Sequence, residues 1–229
     1  MTKIENSSGI NNLPDLSVLD GLSTEERKLA LEILNELSQN GQSEILEDLK
    51  YSDFDEIPVS IDEFISNDKY LGKGLYIKDP FTGERKCTVF PYWLETLRDI
   101  FPDNLTTRYN TIILTGSIGL GKSFCAVIIQ LYLLYRMMCL KDPYMYYGMQ
   151  PLDKITFSML NVTLEAASGV GWSKIQELLQ SSDWFMERGN MNASRSNPQW
   201  QPPKGIELIF GSSNRHVVGR ALFCNFSDK

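Results

Sequence analysis

Apolar positions first recur at helical spacing in STEERKLALEILNELSQNG, where Leu29, Ile33, Leu34 and Leu37 share one face and the opposite face is strongly acidic. Ser23 stands three positions before Glu26 and Gly41 lies just past the end, so the spacing predicts a capped amphipathic helix. Residues 1–22 are polar and read as a poorly ordered tail. A second, short helix is expected from Ser60, with Glu63 completing a capping pattern. The turn DPFTGE precedes FPYWLETLRDIFPDN, in which Trp93, Leu94, Leu97 and Ile100 recur at helical spacing before Pro102 stops the run. Then the pattern changes. Thr111–Thr115 is a short β-branched run that reads as a strand, and Ser123–Leu140 is apolar nearly all round, as for a helix buried against a sheet. Lys154–Leu160, Ile206–Phe210 and Ala221–Phe226 read as further strands, and Leu164–Leu179 as a helix interrupted near Gly169 and Gly171. The polar stretch Asn190–Pro203 reads as a long surface loop. Strands alternating with helices predict an α/β sheet covered by helices.

Charge divides the chain where the pattern does. Residues 1–70 hold 16 acids and 5 bases, whereas 71–229 hold 13 acids and 17 bases. The first part is therefore read as a small helical appendage, partly disordered, and 71–229 as a mildly basic body that permits contact with a phosphate backbone. Cys87, Cys125, Cys139 and Cys224 match no zinc spacing, and with His216 as the only histidine neither a multi-histidine metal site nor a Ser-His-Asp arrangement is available. The apolar run Phe124–Leu140 is interrupted by Gln130 and Arg136, so a buried helix rather than a membrane span is expected.

Between the Thr111–Thr115 strand and the long apolar helix stands GSIGLGKS, that is Gly116, Ser117, Ile118, Gly119, Leu120, Gly121, Lys122 and Ser123. Glycines at both ends let the backbone turn tightly and bring its N–H groups against phosphate oxygens. Lys122 carries a compact positive charge to the β and γ phosphates, Ser123 offers a hydroxyl to Mg²⁺, and the helix starting there adds its positive dipole end. The pattern predicts binding of ATP with Mg²⁺. A hydrolase of this kind places an acid at the end of another strand to hold Mg²⁺, and Asp228 after ALFCNFS is the candidate. Arg215 and Arg220, flanking a turn before that strand, are candidates for sensing the γ-phosphate or reaching a neighbouring subunit. GVGWSK at Gly169–Lys174 lacks the third glycine of a dinucleotide fingerprint and reads as a flexible junction.

Four blocks in order, FPYWLETLRDIFPDN, TIILTGSIGLGKSFCAVIIQLYLL, SMLNVTLEAASGVGWSKIQELLQSSDWF and IELIFGSSNRHVVGRALFCNFSD, together resemble the ATPase half of the large terminase subunit of tailed phages. The resemblance implies a P-loop NTPase-type, mostly parallel sheet flanked by helices over 71–229, carboxy-terminally incomplete. It implies an ATP-driven motor moving double-stranded DNA, with a portal protein and a small terminase subunit as partners, acting as a homo-oligomer on the portal in the host cell cytoplasm and with no membrane role. By it, Lys122 and Ser123 meet phosphate and Mg²⁺, Asp228 takes the second magnesium role, and Tyr92 and Trp93 lie where relatives contact the base. Tyr92 and Trp93 have two readings, stacking on adenine or packing in the core at helical spacing with Leu97. The sequence departs from the family at three points. No arginine stands inside the loop; Lys229 occupies the place of the expected glutamate; and no nuclease domain follows, so no DNA cutting is implied. The resulting expectation is that the chain alone hydrolyses ATP slowly or not at all, with a gap or unpaired sheet edges between Thr111–Thr115 and Ala221–Phe226 and hence marginal stability, association, or dependence on a second polypeptide that supplies the missing strand and glutamate. Two other readings stand beside it: a different P-loop enzyme, such as a small-molecule kinase or DNA-processing ATPase, and a nucleotide-binding fragment completed by a second chain.

Overall fold

The computed structural model describes residues 51–150, 153–161, 167–192, 199–212 and 222–225. The chain forms two compact units, Met1–Ser52 and Asp53–Lys229. The polar tail and the Ser23–Gly41 helix lie outside the described residues, nearly all of which belong to the second unit. The first helix of that unit, α1 (Ile61–Ser66), starts where the spacing predicts: Ser60 Oγ accepts from the Glu63 N–H at 3.3 Å. A short α2 (Gly72–Leu75) leads into an antiparallel hairpin, β1 (Tyr76–Lys78) and β2 (Arg85–Cys87), closed by the DPFTGE turn. There Asp79 Oδ1 accepts from Phe81 N–H at 2.8 Å and Thr82 N–H at 3.0 Å. In α3 (Pro91–Ile100) Pro91 occupies the first turn, where its missing N–H costs nothing, and Trp93, Leu97 and Ile100 form the buried stripe.

The centre of the unit is α4 (Lys122–Cys139), eighteen residues buried on nearly every side, followed by the short, Asp142-capped α5 (Pro143–Tyr146). The expected apolar helix is thus a core helix. It is the one described helix long and apolar enough to cross a membrane, and two thirds of it is buried inside the protein. Tyr132 and Tyr135 of α4 pack with Phe64 and Tyr70. Both tyrosines also grip one upstream residue: Tyr132 OH donates to Val59 O at 2.7 Å, and Val59 N–H donates to Tyr135 OH at 2.9 Å. Residues 53–70, placed in the acidic appendage on charge, therefore belong to the core of the second unit. Charge reports the solvated face of α1, whereas Ile61, Phe64 and Ile65 on its other face decide where it packs.

The main sheet has three parallel strands. β3 (Thr156–Asn161) is central, with β6 (Glu207–Ser212) on one side and β7 (Leu222–Asn225) on the other; Phe157 lies opposite both Leu208 and Leu222. Each is an expected strand, and the parallel pairing of β3 with β6 is allowed by the helical segments described between them. Thr111–Thr115 differs from expectation: it forms no ladder among the described residues. Ile112 and Leu114 lean on the core while Ile113 is 81% exposed. Alternation of burial is present without, among the described residues, the neighbouring strand that a ladder requires.

The expected interrupted helix is a π-helical turn, Ala167–Trp172, running into α6 (Ser173–Ser181); residues 162–166 lie outside the described set. Trp172 packs on Phe210 of β6. After α7 (Asp183–Arg188) comes a small antiparallel pair, β4 (Asn190–Asn192) and β5 (Gln199–Gln201). The described ends of the stretch read as a surface loop are thus strands. Trp200 of β5 is fully buried, its indole N–H donates to Phe185 O at 2.9 Å, and the Gln176 side chain brackets its backbone. One aromatic anchor outweighs the polar residues around it. The result is a mixed α/β fold with small sheets.

Candidate functional site

Gly116–Ser123 runs into the amino terminus of α4, with Lys122 as the first helical residue. The local sequence dictates this shape. Gly116, Gly119 and Gly121 take φ of 138°, 87° and 78°, left-handed values that residues with a Cβ reach only with strain. Gly121 is the residue that switches the chain into the helix. Lys122 Nζ donates to Ser117 O at 2.9 Å, so the ammonium folds back over the loop that carries it. The space beside Gly119 is open, and Ile118 is 98% exposed at the crest. Backbone N–H groups at the start of an eighteen-residue helix, a cation at its first residue and glycines that keep side chains out of the way together fit a polyphosphate. Ser123 follows in the first turn, as a hydroxyl ligand to a phosphate-bound cation requires.

The loop is backed by the start of α3. The Trp93 indole N–H donates to Leu120 O. A Cβ on Gly121 would lie 3.4 Å from both Trp93 Nε1 and Phe90 Cδ2, so the loop rests on these two rings. Trp93 is 7% exposed, whereas Tyr92 is 67% exposed and meets Trp93 edge-on at 5.1 Å between ring centres. Trp93 therefore stands at the loop by direct contact, and Tyr92 is placed only beside Trp93. Sequence reasoning misses Phe90, for which an aromatic at the helix N-cap just before Pro91 is the available signal. Asp228, Arg215, Arg220 and His216 lie outside the described residues, so Ser123 is the one proposed magnesium ligand with a described position. No cluster of three or more His, Cys, Asp or Glu suited to a metal occurs among the described residues. GVGWSK lies in the π-helical turn and the first residues of α6.

A cavity of about 350 Å³ lies at the other end of α4, about 27 Å from the loop along the helix axis, lined in part by Glu56, Cys139, Trp184, Arg188 and Lys204. Its charges are matched internally. Glu56 Oε2 accepts from Arg188 Nη2 at 2.7 Å and Trp184 Nε1 at 2.9 Å, and Arg188 lies over the Trp184 ring. Burial alone raises the Glu56 pKa, but the Trp184 N–H and the charges of Arg188 and Lys69 outweigh it and hold the carboxyl below its usual range. Lys204 Nζ donates to Met138 O and Leu140 O and pairs with Asp55, closing the carboxy terminus of α4. This end of the helix reads as structural; the candidate site lies at the other end.

The family model for the N-terminal P-loop domain of uncharacterized protein MJ0330 matches residues 24–215, which include the whole loop. The chain belongs to this family. No curated protein and no solved structure matches it. Membership in a P-loop family agrees with the loop geometry and implies nucleotide binding in general terms. The match gives no support to the terminase resemblance, whose loop block is one that P-loop families share.

Proposed function

We propose that Gly116–Ser123 binds the triphosphate of ATP together with Mg²⁺ and that the chain is a P-loop NTPase domain. The observation that carries this reading is the loop itself: three left-handed glycines opening an eighteen-residue core helix whose first residue is Lys122. On this reading the loop N–H groups and the helix terminus hold phosphate oxygens, and Lys122 exchanges its bond to Ser117 O for the β and γ phosphates. Ser123 presents its hydroxyl to Mg²⁺, which when bound offsets charge on the same phosphates. Asp228 and one of Arg215 and Arg220 complete the set, a role resting on their sequence positions.

The proposal stays with the P-loop NTPase class, a kinase-like or DNA-processing enzyme included. The narrower reading, a packaging motor on double-stranded DNA with a portal protein and small terminase subunit, rests on the order of four sequence blocks alone. Phosphate release measured with and without double-stranded DNA separates them: stimulation favours a DNA-dependent motor or processing ATPase, and indifference a small-molecule enzyme. Binding is tested first. In a calorimetric titration with MgATP, Lys122→Ala is expected to weaken affinity by about 10- to 150-fold, the equivalent of losing a charge-assisted hydrogen bond of about 1.5–3 kcal/mol. Equal affinity in the two proteins sinks the assignment.

A further inference from the structure

We propose that Trp93 is a positioning residue that aims the Gly121 N–H into the phosphate site, an inference that rests on nucleotide binding at Gly116–Ser123. The indole N–H of Trp93 donates to the carbonyl of Leu120, and the peptide that carbonyl belongs to is trans. In a trans peptide the C=O and the following N–H point in opposite directions. Fixing the Leu120 oxygen against Trp93 therefore turns the Gly121 N–H away from Trp93, where it is free for an anion. The anchor is rigid. Trp93 heads the buried stripe that continues through Leu97 and Ile100, and its own N–H donates to Phe90 O at 2.9 Å in the first turn of α3. Phe90 and Trp93 also leave no slack behind Gly121, since even an absent Cβ would touch both rings. Without the indole N–H, the Leu120 carbonyl is released, the 120–121 peptide is free to rotate, and one donor of the cradle has to be ordered by the ligand itself, which costs affinity.

This role differs from stacking on the nucleotide base in what it predicts. A base-stacking ring affects nucleotides but not bare polyphosphate; a residue that aims a backbone N–H affects both. The test is a pair of titrations, MgATP and magnesium tripolyphosphate, on the unaltered protein and on Trp93→Phe, which keeps an aromatic ring and loses the N–H. Affinity is expected to fall about five- to tenfold for both ligands by the same factor. A loss confined to MgATP, or no loss for either, overturns the inference while leaving nucleotide binding standing. Failure of the unaltered protein to bind either ligand overturns both. Should Trp93→Phe fold poorly, the unaltered protein decides alone: in ¹⁵N–¹H spectra, tripolyphosphate is expected to shift the Gly121 amide and the Trp93 indole N–H together. Movement of the Gly121 amide with a stationary Trp93 indole shows that the two are not linked and refutes the proposal.

Discussion

Replacing Phe64 by alanine tests the placement of residues 53–70 in the core. The Phe64 ring has no exposed surface and lies 4.9 Å from Tyr135, 5.1 Å from Tyr132, 5.8 Å from Tyr70 and 6.3 Å from Phe185 between ring centres. Truncating a buried Phe costs about 3–5 kcal/mol, the spread reflecting how far the surroundings collapse into the space left. Collapse is restricted here. Tyr132 and Tyr135 are held by α4 and by their hydrogen bonds to Val59, and Phe185 is held by α7, so the upper half of the range, about 4–5 kcal/mol, is expected. With a urea m-value of about 2.5 kcal/mol/M, the unfolding midpoint should fall by about 2 M, a large share of an ordinary domain's stability. Tryptophan fluorescence across a urea series measures it, Trp184 lying 4.7 Å from Tyr135 in the same cluster. A shift below about 0.4 M, equivalent to about 1 kcal/mol, would refute the reasoning and leave 53–70 outside the folded core.

Two further outcomes are expected. Cys125 and Cys139 are 1% exposed and burial pushes each thiol up to about 12, whereas Cys87 is only half-buried. Brief alkylation of the native protein at about pH 8 should therefore label Cys87 and spare those two until urea is added, as read by peptide mass mapping; equal labelling of Cys125 argues against the buried α4. Glu56 has a folded-state pKa below its ordinary value, so the stability it contributes is present above the usual carboxylate range and lost as pH falls through the folded value. The stability gap between the unaltered protein and Glu56→Gln should accordingly shrink from about pH 6 to about pH 3, and a gap constant over that interval contradicts the pairing with Arg188 and Lys69.

The parts of the fold legible in the sequence are those specified locally. Gly121, Lys122 and the apolar run after them announce a loop and a buried helix, because left-handed backbone and all-round burial each demand particular residue types. Ser60 and Glu63 announce α1 for the same reason. The partner of an element is a different matter. Thr111–Thr115 has strand composition and alternating burial, yet whether it joins a ladder depends on which strands lie beside it. Trp200 sits among Asn, Ser, Arg, Gln and Pro, and only the carbonyl of Phe185 and the amide of Gln176 reveal it as an anchor. The Trp93 contact is hidden similarly. Helical spacing with Leu97 places Trp93 on the buried face, but that its N–H reaches a loop carbonyl 27 residues away is a product of the fold.

The same distinction explains why the loop speaks clearly for nucleotide and says nothing about the task the nucleotide drives. Every contact proposed for the loop, from backbone N–H to Lys122 to Ser123, would address phosphate oxygens and the cation they carry, and those are identical whether the energy moves DNA or phosphorylates a small molecule. Resemblance concentrated in such a loop is therefore resemblance in the shared part of the problem. What distinguishes one P-loop enzyme from another is the acid that orients the attacking group, the arginine that meets the developing charge and the surface that receives the second substrate. The proposed acid and arginines, Asp228, Arg215 and Arg220, lie beyond β6, and β7 enters the sheet beside β3 just before Asp228. Among the described residues, the loop is attached to α3 through Trp93 and Phe90. That helix packs in turn on α4 and on α1 in one core, so the brace behind the loop is part of the folded unit and not of the loop sequence.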